Sequence, residues 1–257
     1  MCEIYGFSGN RKMKLNKDLR EFYSHSADHP NGWGLALLDE EKTEIFKEVC
    51  RADRSGFLKE KLGAPIKSKT ALAHIRLATI GNVEQDNCHP FTAADNSGRT
   101  WTLIHNGTVF ECDRLNKYIF LQKGETDSER ILLYIVDHIN RHYMQEMNCF
   151  DANERIRLVD KLIRRIVPEN KVNLMIYDGD YFYVHKNEEG TLYKSERPGS
   201  FIFSTHPLTP DGWEEVPQNQ LLVYKDGELI YEGEKHEHTY IEDEENTKLL
   251  YLGYAGL

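Results

Sequence analysis

An α+β fold of two antiparallel sheets with helices outside them is predicted by three features of this 257-residue sequence. Strand-length apolar runs occupy both ends of the chain, two long helical patterns lie together between them, and the late strands are joined by Asp-Gly turns instead of βαβ crossovers. Glu3 to Phe7 reads as a short strand ending at the turn cluster Ser8-Gly9-Asn10. Asn16 to Ala27 follows as a helix, with Leu15, Leu19, Phe22 and Tyr23 at helical spacing. His29-Pro30-Asn31-Gly32-Trp33-Gly34 is a tight loop into the run Leu35 to Leu38, with which Glu44 to Val49 pairs as a hairpin. Asp53 opens a short helix whose apolar side carries Phe57 and Leu62, and Thr70 to Ala78 and Trp101 to His105 are two further strands.

Thr126-Asp127-Ser128-Glu129 has the Thr and Glu spacing of a capping box, just before Ile131, Leu132, Ile135 and Ile139. Asp151 to Glu154 repeats that signature ahead of Ile156, Val159, Ile163 and Ile166. Beyond Pro168 the chain returns to strands. Asn173 to Tyr177 and Tyr181 to His185 are joined by Asp178-Gly179, and Leu221 to Lys225 and Leu229 to Glu232 by Asp226-Gly227. No repeat or low-complexity linker breaks the pattern, so residues 1–257 are expected to form one domain, with the acidic stretch Glu242 to Glu245 as a solvated tail.

Composition narrows the function classes. Asp plus Glu number 42 against 32 Lys plus Arg, a formal charge of −10, which argues against a nucleic-acid binder. Hydrophobic residues at 40% supply a core and exclude wholesale disorder. No run reaches the roughly 18 apolar residues that a membrane helix needs. The five cysteines, at 2, 50, 88, 112 and 149, are odd in number and widely spaced, which is no disulfide framework. The N-terminus has neither a basic region nor an apolar one, so a cytoplasmic protein is expected.

Cys2 is the first candidate for chemistry. Removal of Met1 would leave one residue carrying both a thiol, with an ordinary pKa near ~8.5, and an α-amine near ~7.7–8.0 that can take the thiol's proton. The alternative is a small apolar residue at a strand start. Three later segments bear on the choice: Ala73-His74-Ile75-Arg76-Leu77-Ala78-Thr79-Ile80-Gly81, then Cys88-His89-Pro90-Phe91 with His105-Asn106-Gly107-Thr108, then Gly124-Glu125-Thr126-Asp127-Ser128-Glu129. Taken singly, Arg76 reads as a surface cation, Asn106-Gly107 as a turn and Asp127 as a complement to a helix dipole.

Taken together and in this order, these segments resemble the class II glutamine amidotransferases of the N-terminal nucleophile hydrolase superfamily, in particular the stand-alone YafJ-like branch. Met1-Cys2-Glu3, Asn31-Gly32-Trp33-Gly34 and Ser204-Thr205-His206-Pro207-Leu208-Thr209 extend the resemblance over nearly the whole chain. It implies a four-layer αββα sandwich. It also implies roles: Cys2 attacks the side-chain amide of glutamine, with its own α-amine as base, while Asn106 and the Gly107 N–H form the oxyanion hole. Arg76 clamps the substrate α-carboxylate, Thr79 and His89 help to hold that end, and Asp127 accepts the substrate ammonium. The γ-glutamyl thioester is then hydrolysed to glutamate.

Leu77 and Ile80 depart from the Trp and His that fused synthases of the family tend to carry, which puts strict preference for free glutamine in doubt. The resemblance leaves no residues for a synthase domain. Two versions of the reaction follow: a glutaminase passing ammonia to a separate synthase, or a hydrolase of a larger γ-glutamyl amide; an ammonia-accepting synthase or a homodimer mate is the expected macromolecular partner. A non-catalytic protein that senses glutamine or binds a partner through the same pocket is the alternative of a different class, and a cysteine peptidase a third. No cofactor is expected. Cys88-His89 and His236-Glu237-His238 lack a partner pair at metal-ligand spacing, so no metal is assigned. His74 reads as a buried histidine, Trp33, Tyr5 and Phe7 as core or pocket wall, and Cys50, Cys112 and Cys149 as inert thiols. The sequon Asn106-Gly107-Thr108 is expected to be unused.

Overall fold

Alternation of side chains along each strand determines how this chain layers. The computed structural model describes residues 2–39, 42–110, 112–146 and 150–243; Met1, Cys149 and the tail beyond Asp243 lie outside them. In the first half, β1 (Glu3–Lys14) leads to α1 (Asn16–Ser24), then β2 (Trp33–Asp39), β3 (Lys42–Glu48), α2 (Gly56–Gly63) and β4 (Lys67–Ile75). β5 (Phe91–Ala94) and β6 (Thr100–Thr108) precede the short α3 (Asp113–Asn116) and the long helices α4 (Asp127–Gln145) and α5 (Ala152–Ile166). β7 (Lys171–Tyr177), β8 (Phe182–Lys186), β9 (Tyr193–Arg197), β10 (Ser200–Ser204), β11 (Glu214–Glu215), β12 (Gln220–Lys225) and β13 (Glu228–Glu232) complete it.

These strands form two sheets, ordered β11-β9-β10-β1-β4-β2-β3 and β13-β12-β8-β7-β6-β5, with antiparallel pairs throughout. Ile4 of β1, Leu72 of β4 and Ala36 of β2 meet Ile104 of β6, Met175 of β7 and Phe182 of β8 in a core between the sheets. The intervening positions face outward. Tyr5, Phe7, Ala73 and Leu35 pack under α1 and α2, and Trp101, Leu103, Leu174 and Tyr183 pack under α4 and α5. The result is the expected four-layer αββα sandwich.

Four expectations need correction. β1 does not stop at Ser8-Gly9-Asn10 but runs to Lys14, with an irregular register between Ser8 and Met13. Neighbouring strands on both sides, including an Asn10 N–H bond to the Gly199 carbonyl at 2.9 Å, hold the extension in place. The first helix is α-helical only to Ser24, and His25–Asp28 continues it as a 3₁₀ turn. Asp53 belongs to a separate 3₁₀ turn, while Ser55 caps α2 and Leu58, not Phe57, is the buried apolar residue, Phe57 being 41% exposed. Finally, Thr126 caps α4 but the box is half made. The Glu129 carboxylate accepts instead from the Lys123 and Gly124 N–H groups, both at 2.9 Å. At α5 both halves of the box formed by Asp151 and Glu154 are present.

Candidate active site

Strand parity brings the chemistry together. Cys2 precedes Ile4 by two residues and Asn106 follows Ile104 by two, so both lie on the faces that look into the space between the sheets. They line one cavity of about 360 Å³ at the end of the inter-sheet core. The half-buried Cys2 thiol donates to the Leu77 carbonyl at 3.2 Å. Burial raises the thiol pKa, against the pull of the nearby Arg76 guanidinium. A thiol so placed keeps its proton at neutral pH and needs a base to become a nucleophile.

Asn106 is buried, and its Oδ1 has no hydrogen-bond partner among the described residues. A buried amide oxygen without a donor is costly in a folded chain and commonly marks a site that a ligand completes. Gly107 is required where it stands, because a Cβ would be driven into the Lys171 carbonyl and the His105 ring. His105 itself points to the helix side, bonded to Ser128 Oγ at 2.9 Å and to the Lys171 carbonyl at 3.2 Å. Gly34 is constrained in the same way, since its α-carbon lies against the His89 carbonyl.

Arg76, Thr79, His89 and Asp127 do not line the cavity with Cys2 and Asn106. Arg76 is buried, and its terminal nitrogens donate to the carbonyls of Ile80, Gly81 and Asn82 at 2.9–3.0 Å, drawing the loop that carries half-buried Thr79 around the guanidinium. That loop is laced to the approach of α4. Glu125 accepts from the Asn82 N–H at 2.9 Å, and Asn87 Oδ1 accepts from the Glu125 N–H at 2.7 Å. The buried Asp127 carboxylate already accepts from the Val109 N–H at 2.7 Å and the Ser128 N–H at 2.9 Å, which ties the end of β6 to the start of α4. Asp127 is therefore a structural acceptor as it stands, with a helix N-terminus supporting its charge.

His89 stacks on His74 with ring centroids 4.0 Å apart, and both of its ring nitrogens lack partners among the described residues. Desolvation holds both histidines well below the ordinary histidine range, so they are neutral at physiological pH. Cys50 and Cys112 are free thiols, as is the buried Cys88.

Sequence reasoning missed a second group at the same cavity. The buried Glu3 carboxylate receives His25 Nδ1 at 2.9 Å and faces His29 Nε2 at 3.8 Å and His206 Nε2 at 3.9 Å. Thr205 holds His206 there, its hydroxyl accepting from the Ile4 N–H at 2.9 Å and its own N–H donating to the Ile4 carbonyl at 3.1 Å. Glu3 beside Cys2, the His29 loop and Ser204-Thr205-His206 were each visible in the sequence, but nothing in it brings them together, because the histidines come from two distant segments, 25–29 and 206.

Comparison with known proteins agrees with this architecture. A family model described as class II glutamine amidotransferases matches residues 1–201. YafJ of Escherichia coli is 28% identical over 184 residues, covering 70% of this chain and 71% of YafJ. The uncharacterized protein MJ1515 of Methanocaldococcus jannaschii is 28% identical over 262 residues, covering 91% and 72%. Among solved structures, glutamine phosphoribosylpyrophosphate amidotransferase from B. subtilis superposes with a TM-score of 0.64 at 16% identity, over 94% of this chain and 50% of that one. A glutamine aminotransferase class-II domain protein from Silicibacter pomeroyi gives 0.60 at 17%, over 92% and 100%. At these identities the structures bear on fold alone, and the family match bears on membership: the chain belongs to the class II glutamine amidotransferases.

Proposed function

We propose that this protein hydrolyses the side-chain amide of glutamine or of a γ-glutamyl amide, with Cys2 as the nucleophile after Met1 is removed. The observation that supports the reading is the shared cavity of Cys2 and Asn106, a nucleophile beside an incompletely satisfied amide at the strand that carries Gly107. The freed α-amine takes the thiol proton and Sγ attacks the amide carbon. The oxygen gathers negative charge, which the Asn106 side-chain N–H and the Gly107 backbone N–H stabilise, the requirement of an oxyanion hole. The C–N bond breaks, the nitrogen leaves with the proton returned by the amine, and water hydrolyses the γ-glutamyl thioester.

In this reading Arg76 and Thr79 hold the substrate α-carboxylate, His89 backs that end, and Asp127 accepts the α-ammonium. Arg76 contributes the N–H groups that its loop carbonyls leave over. The nitrogen leaves as ammonia for a separate synthase or as a free amine. Glutamate release by the chain with Met1 removed, compared with its Cys2→Ala variant, tests the proposal. Release lost in the variant is the expected result. Equal release by both would remove Cys2 from the mechanism, and no release by the parent would favour a glutamine-sensing protein instead.

A further inference from the structure

The cavity beside Cys2 is far larger than ammonia requires. Ammonia is about the size of water, which takes roughly 30 Å³ in the liquid, whereas the cavity holds about 360 Å³. Arg76, Thr79, His89 and Asp127, which hold the amino-acid end in the function proposed above, are absent from its lining. The space is therefore left for whatever is attached beyond the scissile C–N bond. Asn106 lines it too, with a buried Oδ1 that lacks a donor among the described residues and that an amide N–H would satisfy.

The walls carry an uneven charge. Glu3 and Asp28 contribute carboxylates, while the lining cation Lys171 is matched by the Glu188 carboxylate. Glu3 is buried, and among the described residues the groups within ion-pair distance of its carboxylate are the imidazoles of His25, His29 and His206, with no Lys or Arg beside them. A carboxylate that is already buried attracts a cation more strongly in low dielectric than an exposed one would, set against the cost of desolvating that cation.

We infer that this cavity seats the leaving group, and that the preferred substrate is a γ-glutamyl amide of an amine bearing a second, positively charged nitrogen, with Glu3 and Asp28 as the carboxylates that recognise it. The inference rests on Cys2 being the nucleophile. Its reaction is the balanced hydrolysis already given: the Cys2 Sγ–C bond replaces the C–N bond, the diamine departs with the proton, and one water converts the thioester to glutamate and free thiol.

The test compares kcat/KM of the full chain, with Met1 removal verified by mass, on three substrates. These are the mono-γ-glutamyl amide of 1,4-diaminobutane, the γ-glutamyl amide of n-pentylamine as its uncharged match in length, and glutamine. The cationic amide is expected to exceed the pentylamide by about tenfold or more, the scale of one well-placed charge contact. Glu3→Gln is expected to shrink that ratio towards unity, and Asp28→Asn to reduce it less. The ratio is insensitive to a uniform fall in turnover, so a merely structural role for Glu3 would leave it unchanged. Equal rates for the two amides in the parent chain, or hydrolysis confined to glutamine, would overturn the inference while leaving Cys2 as nucleophile. No hydrolysis of any of the three would overturn both.

Discussion

In the proposed mechanism Asn106 and Arg76 make two kinds of contact, and substitution separates them. An oxyanion donor acts only as charge develops, so Asn106→Ala is expected to lower kcat by about 10²–10³ with little change in KM. A carboxylate clamp acts on ground and transition states alike, so Arg76→Ala is expected chiefly to raise KM. Part of that rise will come from the loop, since the same guanidinium holds the carbonyls of Ile80, Gly81 and Asn82. Steady-state kinetics of both variants on one substrate makes the comparison, and the reverse pattern would exchange the two roles. At this scale the residues taken singly were not informative, since Asn106-Gly107 read as a turn, and it was the family resemblance that pointed to Cys2, Asn106 and Gly107 together. The sequence was silent on the structural hydrogen bonds of Arg76 and Asp127. Their hydrogen bonds to the 80–82 loop and to Val109 exist only once the chain has closed on itself.

Among the elements, α5 and the β7–β8 hairpin depend on one carboxylate. Asp178 is fully buried and accepts from Arg155 Nε and the Tyr183 hydroxyl, both at 2.7 Å, and from the N–H groups of Asp180 and Tyr181 at 2.9 and 2.7 Å. Asp178→Ala removes the buried partner of Arg155 and leaves it only the half-exposed Asp180 carboxylate, at 2.9 Å from Nη2, so a loss towards the lower end of about 3–5 kcal/mol in unfolding free energy is expected from chemical denaturation. A loss below about 1 kcal/mol, the scale of an exposed pair, would show that Asp180 alone is enough to hold the Arg155 charge. The sequence marks Asp178-Gly179 as a turn, which it is, but burial of that aspartate depends on α5 packing across the hairpin. The Asp226-Gly227 turn was equally legible, with both residues at positive φ, 51° and 73°. The strand β9 and the extension of β1 to Lys14 were not, since polar and charged residues dominate both stretches and pairing with β10 and β4 respectively keeps them extended.

The whole molecule buries histidines in and beside the inter-sheet layer, and its stability should record them. Burial lowers the pKa values of His74, His89 and His105, and takes His185 to about 3. Unfolded histidines titrate near ~6.5, so below that pH the unfolded state binds protons that the folded state refuses. Stability is thus fully present above pH ~6.5 and falls as pH drops below it, by up to about 1.4 kcal/mol per pH unit for each such histidine. Melting temperatures are expected to decline already between pH 6.5 and 5, before most carboxylates titrate; a flat profile there would mean that these rings accept protons in place. Two antiparallel sheets with helices outside were legible from hairpins and helices and the four-layer order from the family resemblance, whereas the cavity was not legible, because its walls come from residues as far apart as Glu3, Lys171 and His206. The central claim, that Cys2 is the nucleophile of a γ-glutamyl site, is tested most directly by intact mass and peptide mapping after reaction with diazo-oxo-norleucine, on chains with Met1 removed and with Met1 retained. One adduct per chain, on Cys2 and only where Met1 has been removed, is the predicted result. Labelling of Cys50, Cys88 or Cys112 in place of Cys2, or equal labelling of Cys2 with Met1 still attached, would contradict it.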